Sequence, residues 1–289
     1  MTETMKTWTL SLAVAWFALL FVAERMRPLR QTTQPRGGRL VTNGLVVAMA
    51  LGVAAVTVSP TITGLLRWTR HAEFGLLRLA GLPSPLALVA GILLLDLSFY
   101  WWHRLNHALP LLWRFHNVHH IDPGLDSTTA FRFHAVEIAY STVFRAAQIA
   151  LIGPSVSTVV LYELLFVSGT LFHHSNMRLP LGLERMLNFV LVTPRMHGVH
   201  HSTIRDETNS NYSVVFRWWD QVHGTLRLNV PQDDIRIGVA AYDRTDDNAP
   251  LSVLTLPFKQ QRDYWHTTHG TDSRVRTEWR PDEHGHMAG

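Results

Sequence analysis

Residues 103–120, HRLNHALPLLWRFHNVHH, place five histidines in eighteen positions, and RMHGVHH at 195–201 repeats the closing HxxHH pattern. Imidazoles gathered this closely repel one another once protonated, so their grouping points to a ligand other than the proton. On a helix, residues three and four apart share a face. His103 and His107 form one such set, His116, His119 and His120 a second, and His197, His200 and His201 a third. Each set is expected to aim its rings one way. Eight imidazoles exceed the coordination of one tetrahedral or octahedral ion, which implies two metals.

Cysteine is absent, which removes thiolate ligands, disulfides and cysteine nucleophiles. Imidazole and carboxylate donors suit iron, zinc, copper or nickel rather than magnesium or calcium. The zinc-protease pattern HExxH does not occur, and the only ExxH is Glu283–His286 near the C-terminus. His71, His223, His266, His269, His284 and His286 stand alone and read as solvated or locally satisfied residues. Asp96 and Tyr100 lie seven and three residues before His103, on the same helical stripe. Asp96 is therefore expected to accept the second ring N–H of His103 and so orient it.

Apolar helices must position these groups. Trp8–Ala23 and Leu40–Val58 carry no charge, and Leu86–Trp102 carries only Asp96. Ile138–Phe172 is longer and is broken by Gly153-Pro154, so it reads as two helices joined by a turn. A membrane-spanning helix needs about 20 apolar residues. The first run has one lysine before it and ERMRPLR after it, which favours a retained anchor over a cleaved signal. Between the first two runs, Arg25, Arg27, Arg30, Arg36 and Arg39 face a single acidic residue, Glu24. Such a loop stays cytoplasmic, and alternation of the later helices then delivers both histidine patches to that same side. Residues 61–80 mix leucine and aromatics with arginine and are expected to form an interfacial helix.

The net charge is +4, yet residues 231–289 hold ten acidic and seven basic groups, leaving 19 basic and 12 acidic before them. The basic residues border apolar runs, which indicates a bilayer, and no basic-aromatic patch suggests nucleic acid. The expected fold class is an all-α integral membrane protein, with about four transmembrane or re-entrant helices and a cytosolic histidine-rich helical cap. Residues 1–85 would supply anchor helices, 86–230 the histidine-bearing domain, and 231–289 a polar C-terminal tail.

DLSFYWWHRLNH, FHNVHH, RFHAVE, FHHSN, MHGVHHS and NYSVVFRWWDQVHGT resemble the fatty acid hydroxylase and sterol desaturase superfamily, from about Leu86 to Leu226. The resemblance implies a non-haem centre of two iron ions on the cytosolic side of a helical membrane domain. By motif match the ligands would be His103, His107, His116, His119, His120, His134, His174, His197, His200 and His201. Ala135, Ser213 and His223 depart from the usual residues of the motifs, and none removes a ligand. In FHHSN the match selects His174, and neighbouring helical residues point about 100° apart, so His173 is expected to stay free.

The reading is an O2-dependent oxidoreductase that hydroxylates or desaturates a C–H bond of a fatty acyl, sterol or ether lipid. Its partners would be the bilayer, the lipid and an external electron-donor protein, with O2 as co-substrate. Zinc could occupy the same imidazoles but has no redox states to offer. A membrane zinc hydrolase or a non-enzymatic metal-handling protein are the alternatives.

Overall fold

The computed structural model describes residues 3–31 and 36–276, and among these every regular element is helical. The long helices are α1 (Glu3–Met26), α2 (Arg36–Val56), α3 (Val58–His71), α5 (Ser84–Ala108), α7 (Ala135–Ile152) and α8 (Val156–His174). Shorter ones are α4 (Leu76–Leu79), α6 (Pro110–His120), α9 (Leu181–Asn188), α10 (Pro194–His200), α11 (Arg205–Thr208), α12 (Trp218–Val222) and α13 (Pro250–Thr255). Among the described residues, four stretches are long and apolar enough to cross a membrane: Gly37–Leu79, Ser84–Ala108, Ala135–Ile152 and Val156–His174.

Side-chain pairs fix the directions. Trp16 donates to the Ser168 carbonyl and Glu24 accepts from the Asn176 amide, so α1 and α8 run parallel. Asp96 meets Tyr162 while Gly91 lies against Thr158, so α5 shares that direction. Gln148 meets Leu95 and Tyr140 meets Asn106, so α7 runs the opposite way. α2 leaves the same pole, where Arg39 meets Asp122, for Thr57 at Thr142, and α3 goes on beside α7 to Gly75 at Gly153. The last ends of α1, α5 and α8 and the first ends of α2 and α7 therefore gather at one pole, where the histidines lie.

Local chemistry sets the breaks. Gly153 takes φ 64° as the C-cap of α7, Pro154 follows, and the Ser155 hydroxyl accepts the Thr158 amide to start α8. Gly75, at φ 113°, packs backbone to backbone on Gly153, and a Cβ on either would collide with the other. Residues 57–75 thus pack along α7 from Thr142 to Gly153, about 16 Å, and the 61–80 segment is divided between α3, which ends at His71, and α4, rather than forming one helix.

Polar clamps hold the histidine pole. Arg39 donates to Asp122 and Asp126 at 2.5 Å each, to the Gly124 carbonyl at 2.8 Å and to Thr129 at 2.9 Å, all buried. Burial alone would raise the Asp122 pKa, but Arg39 and Arg132 hold it down at about 2. Glu24 accepts from the amides of Ser127 and Asn176, both at 3.0 Å. Arginines of the basic loop thus bind the elements that carry the histidines, although residues 32–35 lie outside the described ones.

The expected polar tail is also corrected. Val239, Ala241, Tyr242, Val253 and Leu256 join Val46, Trp113, Val118 and Ile121 in one buried cluster. Few apolar residues, scattered among polar ones, suffice because they pack together against α6 and α2. Residues 277–289, including His284 and His286, lie outside the described ones.

Removing the Arg39 guanidinium would leave Asp122 and Asp126 buried without their cation. Arg39→Met should destabilise the solubilised protein by about 3–5 kcal/mol, read from chemical denaturation. A loss below about 1 kcal/mol, the range of exposed pairs, would show that water compensates the carboxylates.

Candidate metal centre

Helix geometry brings the histidines together from four elements. His103 and His107 leave the last turns of α5, and Leu109, in extended conformation before Pro110, turns the chain back into α6. α6 presents His116, His119 and His120. α8 ends in His173 and His174, and α10, which starts on Pro194, carries His197 and His200 with His201 as its C-cap.

Two groups of four result. His103, His107, His120 and His200 offer ring nitrogens that all lie within 4.8 Å of one another, and so do His119, His174, His197 and His201. Each HxxHH segment therefore straddles both groups, rather than aiming all its rings one way. Neighbours on a helix diverge by about 100°, so His119 and His120 part company, as do His200 and His201.

Hydrogen bonds fix the ring protons. His103 Nδ1 donates to the Tyr212 carbonyl at 2.8 Å, His200 Nδ1 to the Ser210 carbonyl at 2.7 Å, and His174 Nδ1 to the Thr170 carbonyl at 2.8 Å. A carbonyl only accepts, so in the neutral ring each Nε2 is left with a bare lone pair. Yet His103 Nε2 and His200 Nε2 face each other at 3.0 Å. His174 Nε2 likewise lies 3.1 Å from the Nε2 atoms of both His119 and His197, and His201 Nε2 lies 3.1 Å from that of His197. The lone pairs of His103 and His200, confronted this closely, repel unless a cation sits between them, while His174 aims its own at the Nε2 atoms of His119 and His197. Both ring nitrogens of His120 are buried with no hydrogen-bond partner.

Burial, reinforced by neighbouring imidazoles, holds His119, His120, His197, His200 and His201 well below the ordinary histidine pKa. The rings are therefore neutral at physiological pH, the form that ligates a metal. An all-imidazole donor set at about 2.0–2.2 Å suits iron, zinc, copper or nickel. The residues fit two such ions.

The remaining expected ligands sit elsewhere. His116 Nδ1 donates to Glu137 at 2.8 Å, and its Nε2 is buried without a partner. Its ring lies 5.0–5.4 Å from those of His103, His107, His119 and His120, between the two groups and in neither. His134 is turned away: Nδ1 caps α7 by accepting the Val136 amide, and Nε2 donates to the Leu254 carbonyl at 3.1 Å. Both its nitrogens are used, which corrects its expected role. His174 enters the second group, while His173 stays outside it with its ring 4.1 Å from that of His197. His223 stacks on Tyr100 at 4.7 Å, outside both groups.

Asp96 requires a further correction. It touches no histidine, because its oxygens accept from Tyr162, Phe216 N and Trp219, and His103 takes a backbone carbonyl instead. The carboxylate that does orient a ring is Glu137, which sequence reasoning passed over. Its only signal was the acidic residue in RFHAVE, three positions after His134, in the first turn of α7.

Comparison with known proteins gives the site a context. Residues 88–225 match the family model of the fatty acid hydroxylases. The ornithine lipid hydroxylase OlsE of Rhizobium tropici is 26% identical over 258 residues, covering 84% of this chain and 73% of that protein. Human alkylglycerol monooxygenase is 34% identical over 153 residues, 52% of this chain and 33% of that protein. Human cholesterol 25-hydroxylase is 28% identical over 139 residues, 47% of this chain and 49% of that protein. The chain thus spans between a third and a half of the latter two relatives. No solved structure matches the chain.

Two outcomes follow from this geometry. Because the buried histidines bind protons less readily than in the unfolded chain, the unfolded state takes up more protons below its ordinary value of about 6.5. Thermal stability of the metal-free protein should hold above about pH 6.5 and fall steadily below it. A flat profile down to about pH 5 would mean that the rings are solvated. Separately, Glu137→Leu should weaken metal binding about 10–100-fold in competition with a chelator, and Glu137→Gln, whose amide oxygen still accepts, should recover part of the loss. Equal affinity in all three proteins would remove Glu137 from the site.

Proposed function

Since residues 88–225 carry the fatty acid hydroxylase domain, we propose that the protein is a multi-pass membrane oxidoreductase that hydroxylates a C–H bond of a membrane lipid, using O2 and two iron ions. The observation that carries this reading is the pair of four-imidazole groups whose lone pairs converge at the end of an apolar helical bundle. His103, His107, His120 and His200 would hold one ion, and His119, His174, His197 and His201 the other. His116, with its free Nε2 between the groups, is placed to join either. When bound, iron would supply redox states that zinc lacks, through which O2 could oxidise an unactivated C–H bond while an external donor protein provides the electrons that reduce the second oxygen atom to water.

The chain's own groups do the holding. Carbonyls of Thr170, Ser210 and Tyr212 keep three ring protons pointing outward and the lone pairs inward. An apolar groove of about 540 Å³ lies between α5, α6 and α7, lined by Trp102, Leu105, Leu112, Phe115, Tyr140 and Phe144. Trp102 and Phe115 directly precede His103 and His116, so an acyl or sterol body in the groove would rest beside the metal groups. Arg39 and Arg30 pack at the histidine pole, and basic residues favour the cytoplasmic side, so the site would face the cytoplasm. The names of the relatives, ornithine lipid, alkylglycerol and cholesterol enzymes, support a lipid with a polar group as the substrate.

Protein from iron-supplemented cells should carry close to two metal ions per chain and turn over only with O2 and a reductant. Lipids of a deletion strain should lack a species with one extra oxygen that reappears on complementation. His174→Ala should lose metal and restoration of that lipid, whereas His173→Gln should keep most of both. Full activity with one ion, turnover without O2, or loss only at His173 would each defeat the assignment.

A further inference from the structure

Asp96 is buried at the middle of the apolar helix α5 and serves no histidine. It accepts from the Tyr162 hydroxyl at 3.1 Å, the Phe216 amide at 3.0 Å and the Trp219 indole at 2.8 Å. Tyr162 belongs to α8, but Phe216 and Trp219 belong to the segment after the last histidines. The carboxylate thus ties that segment to two spanning helices. The level is seven residues before His103, or about 10 Å further along α5 from the histidine pole.

The loop after α9 sits at the same level. The Arg217 amide donates to the Val190 carbonyl at 3.0 Å, the Trp218 indole donates to the Phe189 carbonyl at 2.9 Å, and Leu191 bridges Phe216. What these segments turn outward is mostly apolar, with Arg185 and Gln221 the exposed polar side chains among it. Phe189 is 69% exposed, Val222 74% and Met186 60%, with Trp218 and Val190 also exposed. Arg217 lies over the Phe189 ring, where its guanidinium can reach a phosphate while its stem stays in an apolar layer.

We infer that α9, residues 189–191 and α12 form a foot inserted in the bilayer interface beside α5 and α8, with Asp96 setting its depth. The inference rests on the reading that the apolar helices span a membrane. The occupant is lipid, because the segments are bonded to membrane-spanning helices below the level of the histidine pole, where water-facing loops would have no solvent. Aromatic rings with a flanking arginine are the side chains that favour this layer.

The cysteine-free chain makes the test direct. Single cysteines at Phe189→Cys and Val222→Cys carry the fluorophore NBD in vesicles of phosphatidylcholine and phosphatidylglycerol. Val143→Cys, on the exposed face of α7, and Thr245→Cys, on the exposed C-terminal segment, serve as lipid and water references. Doxyl-labelled lipid should quench the probes at 189 and 222 at least as strongly as at 143, and iodide should quench them far less than at 245. Iodide quenching equal to that at 245, or protection from both quenchers as in a protein contact, overturns the foot. Iodide quenching at 143 itself would overturn the spanning reading and the foot with it. In a second arm, Asp96→Leu should raise iodide quenching at 189 while leaving 143 and metal content unchanged, and no change at 189 would remove Asp96 as the depth anchor.

Discussion

Eight imidazoles share one space, and those of His119, His120, His197, His200 and His201 are buried there and held neutral. Desolvation disfavours the imidazolium form and each neighbour adds repulsion, so protons cannot hold the cluster together. The carbonyls of Ser210 and Tyr212 draw the ring protons of His200 and His103 outward and leave their lone pairs confronted at 3.0 Å, and the Thr170 carbonyl turns the His174 lone pair toward His119 at 3.1 Å. Alone, that arrangement is repulsive, and much of the remaining fold serves to impose it. The loop carrying Ser210 and Tyr212 is pinned from outside. Asn211, in the left-handed region at φ 53°, donates to the Met196 and Arg227 carbonyls, and Asp220 accepts the amides of Tyr212 and Ser213.

α6 carries three of the histidines and is the element most firmly held. Pro110 fixes its first turn, and just beyond its last turn Asp122 is clamped by Arg39 from α2. Arg132 reaches Asn43 of α2 and Asn248 ahead of α13, so the N-terminal and C-terminal parts meet at one buried polar knot. On its other side α6 packs Trp113, Val118 and Ile121 against the C-terminal segment. A rigid α6 lets His119 and His120 serve different groups without either ring drifting.

Several polar groups inside the bundle are paired within it. Gln148 donates to the Leu95 carbonyl and to Ser98, and Arg145 binds Gln148 and Glu163. Unpaired charges in hydrocarbon are costly, so such residues endure where they join helices. Asp96 belongs to this class. Its position on the histidine stripe and its actual partners point to different roles, and the partners decide.

The sequence by itself determined the helical class, the apolar runs, the shared pole of arginines and histidines, and the gathering of imidazoles that could hold metal. Periodicity and spacing are local properties, and the faces they define survive any packing. They could not determine how the set divides. Whether His119 joins His120 or His197 depends on how α6, α8 and α10 cross, and His134, three residues from Glu137, became a cap because the chain turns there into α7. Glu137 itself was one acidic residue among 22 until packing set it 2.8 Å from His116. The C-terminal segment read as polar because its buried residues are few and scattered, and only contact with the back of α6 shows that they belong to the core. Tertiary structure decided these points because each depends on which side chain of another element arrives opposite, and no spacing within one element specifies that.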